Sequence, residues 1–250
     1  MQKHPATAFS VKDRPQLLPI ERETVQDRVY AELRRALICG LFEPSQVLTI
    51  RGLADQMMTS TMPVREALGR LISEKAVEAM PNRSVRVPPV TLERLDDLLR
   101  TRILIEGEAV ALATLRMTQR ELMLVRDVLA EWDEVRSLSQ RGDFDREATL
   151  NQKFHFQIYR CSGSSVLIPM IESLWLQSGP CTRYAAYAFS QAVASDETRD
   201  VAYYHRAMVD ALDRRDPVGA RGALVADISR PFTFLRERLL AEPAQSEGEQ

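Results

Sequence analysis

Histidine is scarce in this chain, and two of its three histidines, His155 and His205, fall in the second half of the sequence. Asn151 lies four residues before His155, so on a helix both side chains project from one face and suit two ligands to one ion. Asp227, in a later helical segment, can supply a carboxylate from a third direction. The alternative is a histidine that is only hydrogen-bonded within a helical core, a common role for this residue.

Arginines and hydroxyls in the first half form a second set of residues able to do chemistry. Arg65 is predicted one turn into a helix and off its apolar stripe, where a guanidinium can contact guanine bidentately in the major groove. Just before that helix, hydroxyls or backbone amides of Thr59, Ser60 and Thr61 can bind phosphate. Further candidates for backbone or minor-groove contacts are Arg51, Arg83 and Arg86. A single exposed arginine is more often a solvated surface residue, so it is their joint placement that favours DNA binding.

Short-range signals predict the elements that position these arginines. Apolar residues recur every four positions from Val25 to Leu37, which predicts an amphipathic helix. Thr49 is a suitable N-cap for a second, two-turn helix, and Pro63 suits the first turn of a third. Two β-rich pieces at 77–80 and 85–87 flank a turn and predict a hairpin. Three helices followed by a hairpin indicate a winged helix-turn-helix.

Composition excludes several classes of protein. The 250 residues allow two domains, and 33 basic residues against 35 acidic ones do not suit a protein that coats nucleic acid without selectivity. Residues 1–90 hold 13 basic and 10 acidic residues, whereas 91–250 hold 20 and 25. No apolar stretch approaches the roughly 20 residues of a membrane span, and residues 1–20 lack a secretory core, so we expect a cytoplasmic protein with a flexible N-terminal arm. Three widely spaced cysteines favour reduced, core-filling thiols at Cys39, Cys161 and Cys181.

The second half is predicted to be almost entirely helical. Consecutive prolines at Pro88-Pro89 mark a linker, which gives domains at 21–88 and 91–240 after the 1–20 arm and before a disordered tail at 241–250. Helices are predicted over 91–115, 118–140, 144–161, 165–194 with a break near Gly179-Pro180, 196–215 and 217–240. Phosphate-loop, dinucleotide-binding, nucleophile-elbow and H-E-x-x-H signatures are missing from the sequence, which removes support for those enzyme classes.

The segment from Val25 to Gly40, followed by LFEPSQVLTIRGLADQMMTSTMPVREALGRLISEKAVEAMPNRSVRVPPV, resembles the N-terminal domain of GntR-family transcription regulators. The resemblance implies that Arg51 and Arg65 match family DNA contacts and that 82–84 form the wing tip. Three positions depart from the family: Met58 replaces a turn glycine, Thr61 replaces an arginine, and Ser84 replaces the wing glycine. Loss of that arginine predicts a different or more weakly bound operator.

Residues 91–240 resemble the FCD ligand-binding domain of the FadR subfamily, through RTRILIEGEAVALA, NQKFHFQIYRCSG and HRAMVDALDRRDPVGARGALVADI. The resemblance implies a divalent metal held by Asn151, His155, His205 and Asp227. Asn151 stands in place of the family's aspartate and Asp227 in place of its last histidine, so we expect a weaker site for zinc, nickel or manganese, with an empty polar pocket as the alternative. Arg102 is expected to bind an effector carboxylate or, alternatively, to form a surface ion pair with Glu106.

Together these observations predict a mainly α protein with an N-terminal winged helix-turn-helix and a C-terminal all-α helical bundle of the FCD type. The expected function is that of a homodimeric regulator that binds a double-stranded DNA operator and responds to a small organic acid, with no membrane partner. One alternative is a metal-dependent enzyme in which His155, His205 and Asp227 activate water. Another is a helical protein-interaction module.

Overall fold

A computed structural model describes residues 24–81, 83–138, 144–193 and 202–241. The predicted N-terminal arm, nearly all of the predicted C-terminal tail, and Asn82 of the wing tip lie outside these residues. The first domain consists of helices α1 (Val25–Ile38), α2 (Ile50–Gln56) and α3 (Thr61–Ser73) and strands β1 (Val47–Leu48), β2 (Glu78–Ala79) and β3 (Val85–Arg86). The strands form an antiparallel sheet in the order β1-β3-β2. The predicted helix-turn-helix and hairpin are therefore both present, and β1 joins the hairpin as an additional strand.

Local capping explains where these helices begin. Thr24 and Asp27 form a capping box at α1, in which the Asp27 amide donates to Thr24 Oγ1 at 3.1 Å. Thr49 caps α2 as predicted by accepting from the Gly52 amide at 3.1 Å. Pro63 occupies the first turn of α3, where the missing amide hydrogen costs no intrahelical hydrogen bond. The starts of these helices were thus encoded locally.

The described secondary structure of the second domain is entirely helical, with short turns between the helices. It comprises α4 (Leu92–Arg116), α5 (Gln119–Leu138), α6 (Phe144–Arg160), α7 (Leu167–Val193), α8 (Tyr203–Asp213) and α9 (Pro217–Ala241). Helix α4 packs against α7 and α9, α5 packs against α6 and α8, and α8 packs against α9. Asp216 caps α9 by accepting from the Gly219 amide at 2.9 Å. Within the described ranges, no helix combines the length and apolarity needed to cross a membrane.

The break predicted near Gly179-Pro180 is wrong, because α7 continues from Leu167 to Val193 with Pro180 inside it. Proline removes one helical hydrogen bond, but tertiary packing fixes the helix here. The carboxyl end of α1 lies against Gly179 so closely that a Cβ at this position would be 2.0 Å from the Leu37 carbonyl oxygen. A contact between domains, invisible to local sequence rules, therefore overrides the helix-breaking signal.

This contact joins the two domains directly. Gly40, just after α1, has a φ of +64°, and a Cβ there would lie 2.5 Å from Arg183 Cβ on α7. On the same helix pair, Arg34 and Glu172 form an ion pair at 3.0 Å. The amino-terminal domain thus rests on α7 through both backbone and charged contacts.

The three cysteines are free thiols, and Cys39 is buried. Burial raises the pKa of Cys161 to about 11 and the pKa of Cys181 to about 12. A thiol with so high a pKa is a poor nucleophile at neutral pH, which fits the predicted role as core filler.

Candidate functional sites

The predicted DNA-reading face is the exposed side of α3. Val64, Leu68 and Leu71 on the other side are buried in the domain core, which turns Arg65 outward into solvent. Ser60, the N-cap of α3, makes no side-chain capping bond, and both it and Thr61 are exposed. The hydroxyls of Ser60 and Thr61 are therefore accessible at the amino end of the helix, where the helix dipole favours an anion. Thr59, by contrast, is half-buried, and its amide donates to the Ala54 carbonyl at 3.0 Å.

The remaining predicted DNA contacts lie in two different settings. Arg51 is exposed in the first turn of α2, and Arg83 is exposed in the wing turn with a φ of +63°. Arg86, by contrast, is held on the sheet by Glu78, whose Oε2 lies 2.7 Å from its Nη2. Ser84 is buried and donates to Met80 Sδ at 3.5 Å. Among the described residues of the wing turn, Arg83 has the left-handed backbone, while Ser84 anchors the turn.

Three of the four predicted metal ligands meet in the helical domain. His155 on α6, His205 on α8 and Asp227 on α9 place their ligand atoms within 4.8 Å of one another. Asp227 Oδ2 lies 3.3 Å from His155 Nε2, and Asp227 Oδ1 lies 3.3 Å from His205 Nε2. Both imidazoles are buried among aromatic rings. Asn151 is half-buried one turn before His155 on the same face of α6.

The other ring nitrogen of His155 is fixed by Tyr159. Tyr159 Oη lies 3.2 Å from His155 Nδ1 and donates its proton to Glu106 Oε2 in a short hydrogen bond. Burial and the adjacent Glu106 raise the pKa of Tyr159 well above its usual value, which keeps the phenol protonated. Since its one proton is committed to Glu106, the phenol oxygen accepts from Nδ1–H. His155 Nε2, facing Asp227, is then left either to bind a cation or to carry a second proton.

Asp227 itself is held as a carboxylate. Burial raises the pKa of Asp227, whereas the charge of His205 and the hydrogen bond from His155 lower it. The lowering effects together are larger, so the net shift of the pKa is downward. A negative charge between two imidazoles is a suitable arrangement for a divalent cation and equally for shared protons.

The ion pair predicted between Arg102 and Glu106 forms, but the alternative that it lies on the surface is wrong. Both side chains are buried, with Arg102 Nε 2.6 Å from Glu106 Oε1. Arg102 also donates from Nη1 to Thr182 Oγ1 at 3.1 Å, and Trp175 Nε1 donates to Glu106 Oε2 at 3.0 Å. Helix α7 covers the pair. The i, i+4 spacing predicts that the two side chains are neighbours, but it does not predict that another helix buries them.

Sequence reasoning missed Tyr159, Trp175, Thr182 and Trp132. Tyr159 follows His155 by four residues, and this spacing was the one local signal that could have found it. Trp132 lies with its ring 4.5 Å from the His205 ring, and its buried indole N–H has no hydrogen-bond acceptor among the described residues. Trp132, Trp175 and Thr182 reach the site from other helices, so no spacing rule reveals them.

A winged helix-turn-helix with an exposed arginine on α3, joined to a helical domain with a buried polar site, is the organisation of a DNA-binding transcription regulator. Residues 25–87 match the gntR family of bacterial regulatory proteins, and residues 97–230 match the FCD domain. The chain belongs to the GntR family, within the FCD-containing FadR subfamily, and is a transcriptional regulator rather than an enzyme.

Individual relatives agree with this assignment. The HTH-type transcriptional regulator McbR of Escherichia coli (strain K12) is 30% identical over 211 residues, which cover 84% of this chain and 92% of that protein. The HTH-type transcriptional repressor GlaR of the same organism is 25% identical over 84% of this chain and 95% of that protein. The solved structure of E. coli McbR/YncC superposes with a TM-score of 0.76 at 28% identity and covers 87% of this chain and 99% of that chain.

Proposed function

We propose that this regulator binds its operator as a cytoplasmic homodimer and that a small carboxylate, bound with a divalent metal at His155, His205 and Asp227, controls its operator affinity. The observation that carries the proposal is the convergence of these three ligand atoms within 4.8 Å from three separate helices. A site assembled from three helices can couple ligand binding to how those helices pack.

The donor set fits a divalent metal. Two imidazole nitrogens and one carboxylate suit zinc, nickel or manganese, and the Tyr159 bond directs the His155 proton to Nδ1, away from the ligand atom. Asn151 offers an amide oxygen from the same helix face, a weaker ligand than a carboxylate. A metal held here supplies open coordination positions that a carboxylate oxygen can fill.

Two further groups favour an acidic effector. Arg102 brings a buried guanidinium whose Nε and Nη2 face Glu106 and whose Nη1 donates one hydrogen to Thr182 Oγ1, so the second Nη1 hydrogen is available to an effector. The Trp132 indole N–H, which lacks an acceptor in the described part of the chain, offers a neutral donor next to His205. A carboxylate satisfies both kinds of group.

Helix α7 provides the route to the DNA-binding domain. It carries Thr182, which bonds Arg102, and three residues earlier Gly179, against which the end of α1 packs. An effector that binds one position of α7 more tightly than another shifts the protein toward that position. The two DNA-binding domains of the dimer then move relative to each other, and the affinity for the operator changes.

Metal binding is tested by elemental analysis of protein purified without chelator, followed by thermal unfolding of stripped protein with added Zn²⁺, Ni²⁺ or Mn²⁺. We expect stabilisation by at least one of these ions, abolished in Asp227→Asn and retained in Asp210→Asn, an exposed aspartate on α8. If none of the three ions changed the unfolding temperature, the proposed metal site would be wrong, and His155, His205 and Asp227 would interact through shared protons only.

DNA binding is tested by gel shift on DNA upstream of the protein's own gene. Arg65→Ala should weaken binding by about 5- to 150-fold, the range for losing one bidentate base contact, whereas Arg236→Ala, in the helical domain, should not. Sedimentation of the free protein should give a dimer. Titration of small organic acids into the metal-loaded complex then identifies acids that change operator affinity.

A further inference from the structure

Two methionines that precede Arg65 are exposed on the surface of the DNA-binding domain. Met58, in the turn between α2 and α3, is 94% exposed, and Met62, on the first turn of α3, is 60% exposed. Methionine is ordinarily a core residue, and exposing it to water gives up the stabilisation that burial provides. This pair therefore lies at the end of the reading helix where a partner surface can cover it.

Met62 shares the exposed face of α3 with Arg65. The two residues are three positions apart, so their side chains are neighbours on the helix surface. Gly69, further along the same helix, has open space around the position of a Cβ, and it leaves the face unobstructed. Arg70 is drawn away from this face, because its guanidinium lies 3.6 Å from the ring centroid of Tyr30 on α1.

The major groove offers one apolar group that distinguishes bases, which is the C5 methyl of thymine. Methionine has an unbranched, adaptable side chain that suits such a contact. The axial separation of Met62 and Arg65 is about 4.5 Å at 1.5 Å per residue, compared with about 3.4 Å between base pairs. A base contacted by Met62 therefore lies within two base-pair steps of the base contacted by Arg65.

We propose that Met62 is a specificity-determining residue that reads the methyl group of a thymine within two base-pair steps of the guanine contacted by Arg65. The proposal rests on the predicted contact of Arg65 with guanine in the major groove, which belongs to the proposed function. It is also consistent with Thr61, because this shorter side chain stands where the family carries arginine and leaves Met62 as the larger neighbour of Arg65. The operator half-site should then contain a required thymine beside its guanine.

The test begins with selection of bound DNA from a random pool by the full-length protein. Each thymine of the selected half-site is then replaced by deoxyuridine, which removes only the methyl group, and affinity is measured by fluorescence anisotropy at fixed salt. We expect one thymine near the conserved guanine to be sensitive, with about fourfold weaker binding when it is replaced in one half-site and about 16-fold when it is replaced in both.

Met62→Ser should bind the thymine site more weakly than the wild type and should no longer distinguish thymine from deoxyuridine. Met123→Ser is the matched control, because Met123 on α5 is 61% exposed and lies in the other domain. This variant should keep both the affinity and the methyl dependence of the wild type. Circular dichroism confirms that each variant is folded.

A selected site without thymine within two steps of the guanine would overturn the proposal. So would wild-type binding that is insensitive to deoxyuridine, or Met62→Ser that retains the methyl dependence. Failure of the wild type to select any DNA would instead count against operator binding itself, so the two ideas fail in distinguishable ways.

Discussion

Tyr159 connects a charged pair to a candidate metal ligand. Its hydroxyl donates to Glu106 and accepts from His155 Nδ1 at 3.2 Å, which orients the imidazole with Nε2 toward Asp227. Replacing a group that orients a ligand in this way typically costs about 10- to 100-fold in metal affinity. Tyr159 is therefore a positioning residue of the proposed site.

Tyr159→Phe should lower the affinity for the bound metal by about 10- to 100-fold, because the imidazole loses the partner that fixes its orientation and tautomer. Competition with a chromophoric chelator measures the change. Tyr184→Phe, at an exposed position on α7, is the matched control and should leave the affinity as it is. Equal affinities for the wild type and Tyr159→Phe would contradict the positioning role.

The buried pair of Arg102 and Glu106 makes a second prediction at this scale. Glu106→Leu should lower the free energy of unfolding by about 3–5 kcal/mol, since it leaves a guanidinium buried without its counter-charge. Adding Arg102→Met should recover part of that loss, because no isolated charge remains. Urea unfolding gives both values. Arg236→Met, which breaks an exposed ion pair with Asp96, should cost less than about 1 kcal/mol.

At the scale of elements, the crossing of α1 and α7 depends on a missing side chain. A Cβ at Gly179 would meet the Leu37 carbonyl oxygen at 2.0 Å and the Ile38 carbonyl oxygen at 2.7 Å. Backbone atoms cannot move aside as a flexible side chain does, so any larger residue must separate the helices.

Gly179→Ala should therefore reduce the free energy of unfolding by about 1–3 kcal/mol, as expected for overpacking. Gly222→Ala on α9 is the matched control, because nothing lies within 4 Å of a Cβ there. The control should gain up to about 1 kcal/mol from helix propensity. Denaturant unfolding of both variants decides the matter, and a stabilised Gly179→Ala would show that the helices are not in contact.

The short-range signals of the sequence predicted elements well where capping decides them and poorly where packing does. Thr49, Pro63 and Asp216 each occupy the helix start that their chemistry favours. Pro180 sits inside a continuous helix instead, since contacts from another domain outweigh its local preference. A proline signal read without its tertiary partners therefore gave a wrong boundary.

At the scale of the whole molecule, the proposed regulation requires contact between the helical domain and the DNA-binding domain. The contact surface between the domains includes the Arg34–Glu172 ion pair at 3.0 Å, with both side chains partly shielded from solvent. Both residues lie on the helices whose crossing joins the domains, α1 and α7. Their interaction is therefore a direct measure of how firmly the domains are coupled.

Reversing one charge, in Arg34→Glu or Glu172→Arg, should weaken this coupling through like-charge repulsion. The reversed pair Arg34→Glu with Glu172→Arg should restore it, with an interaction energy of about 0.5–1 kcal/mol. The readouts are thermal unfolding and the change in operator affinity caused by the effector. A double variant that behaves as the sum of the two single variants would exclude coupling through this pair.

The sequence by itself determined the order of the helices, the exposed position of Arg65 on α3 and the candidate ligands His155, His205 and Asp227, because caps, apolar periodicity and residue chemistry are local properties. Only the tertiary structure decided that these ligands meet, that the Arg102–Glu106 pair is buried beneath α7, and that Arg86 is paired with Glu78. The physical reason is that an i, i+4 spacing fixes which side chains are neighbours on one helix. Which other helix covers them, and so whether water or protein surrounds a charge, depends on packing between residues far apart in the chain.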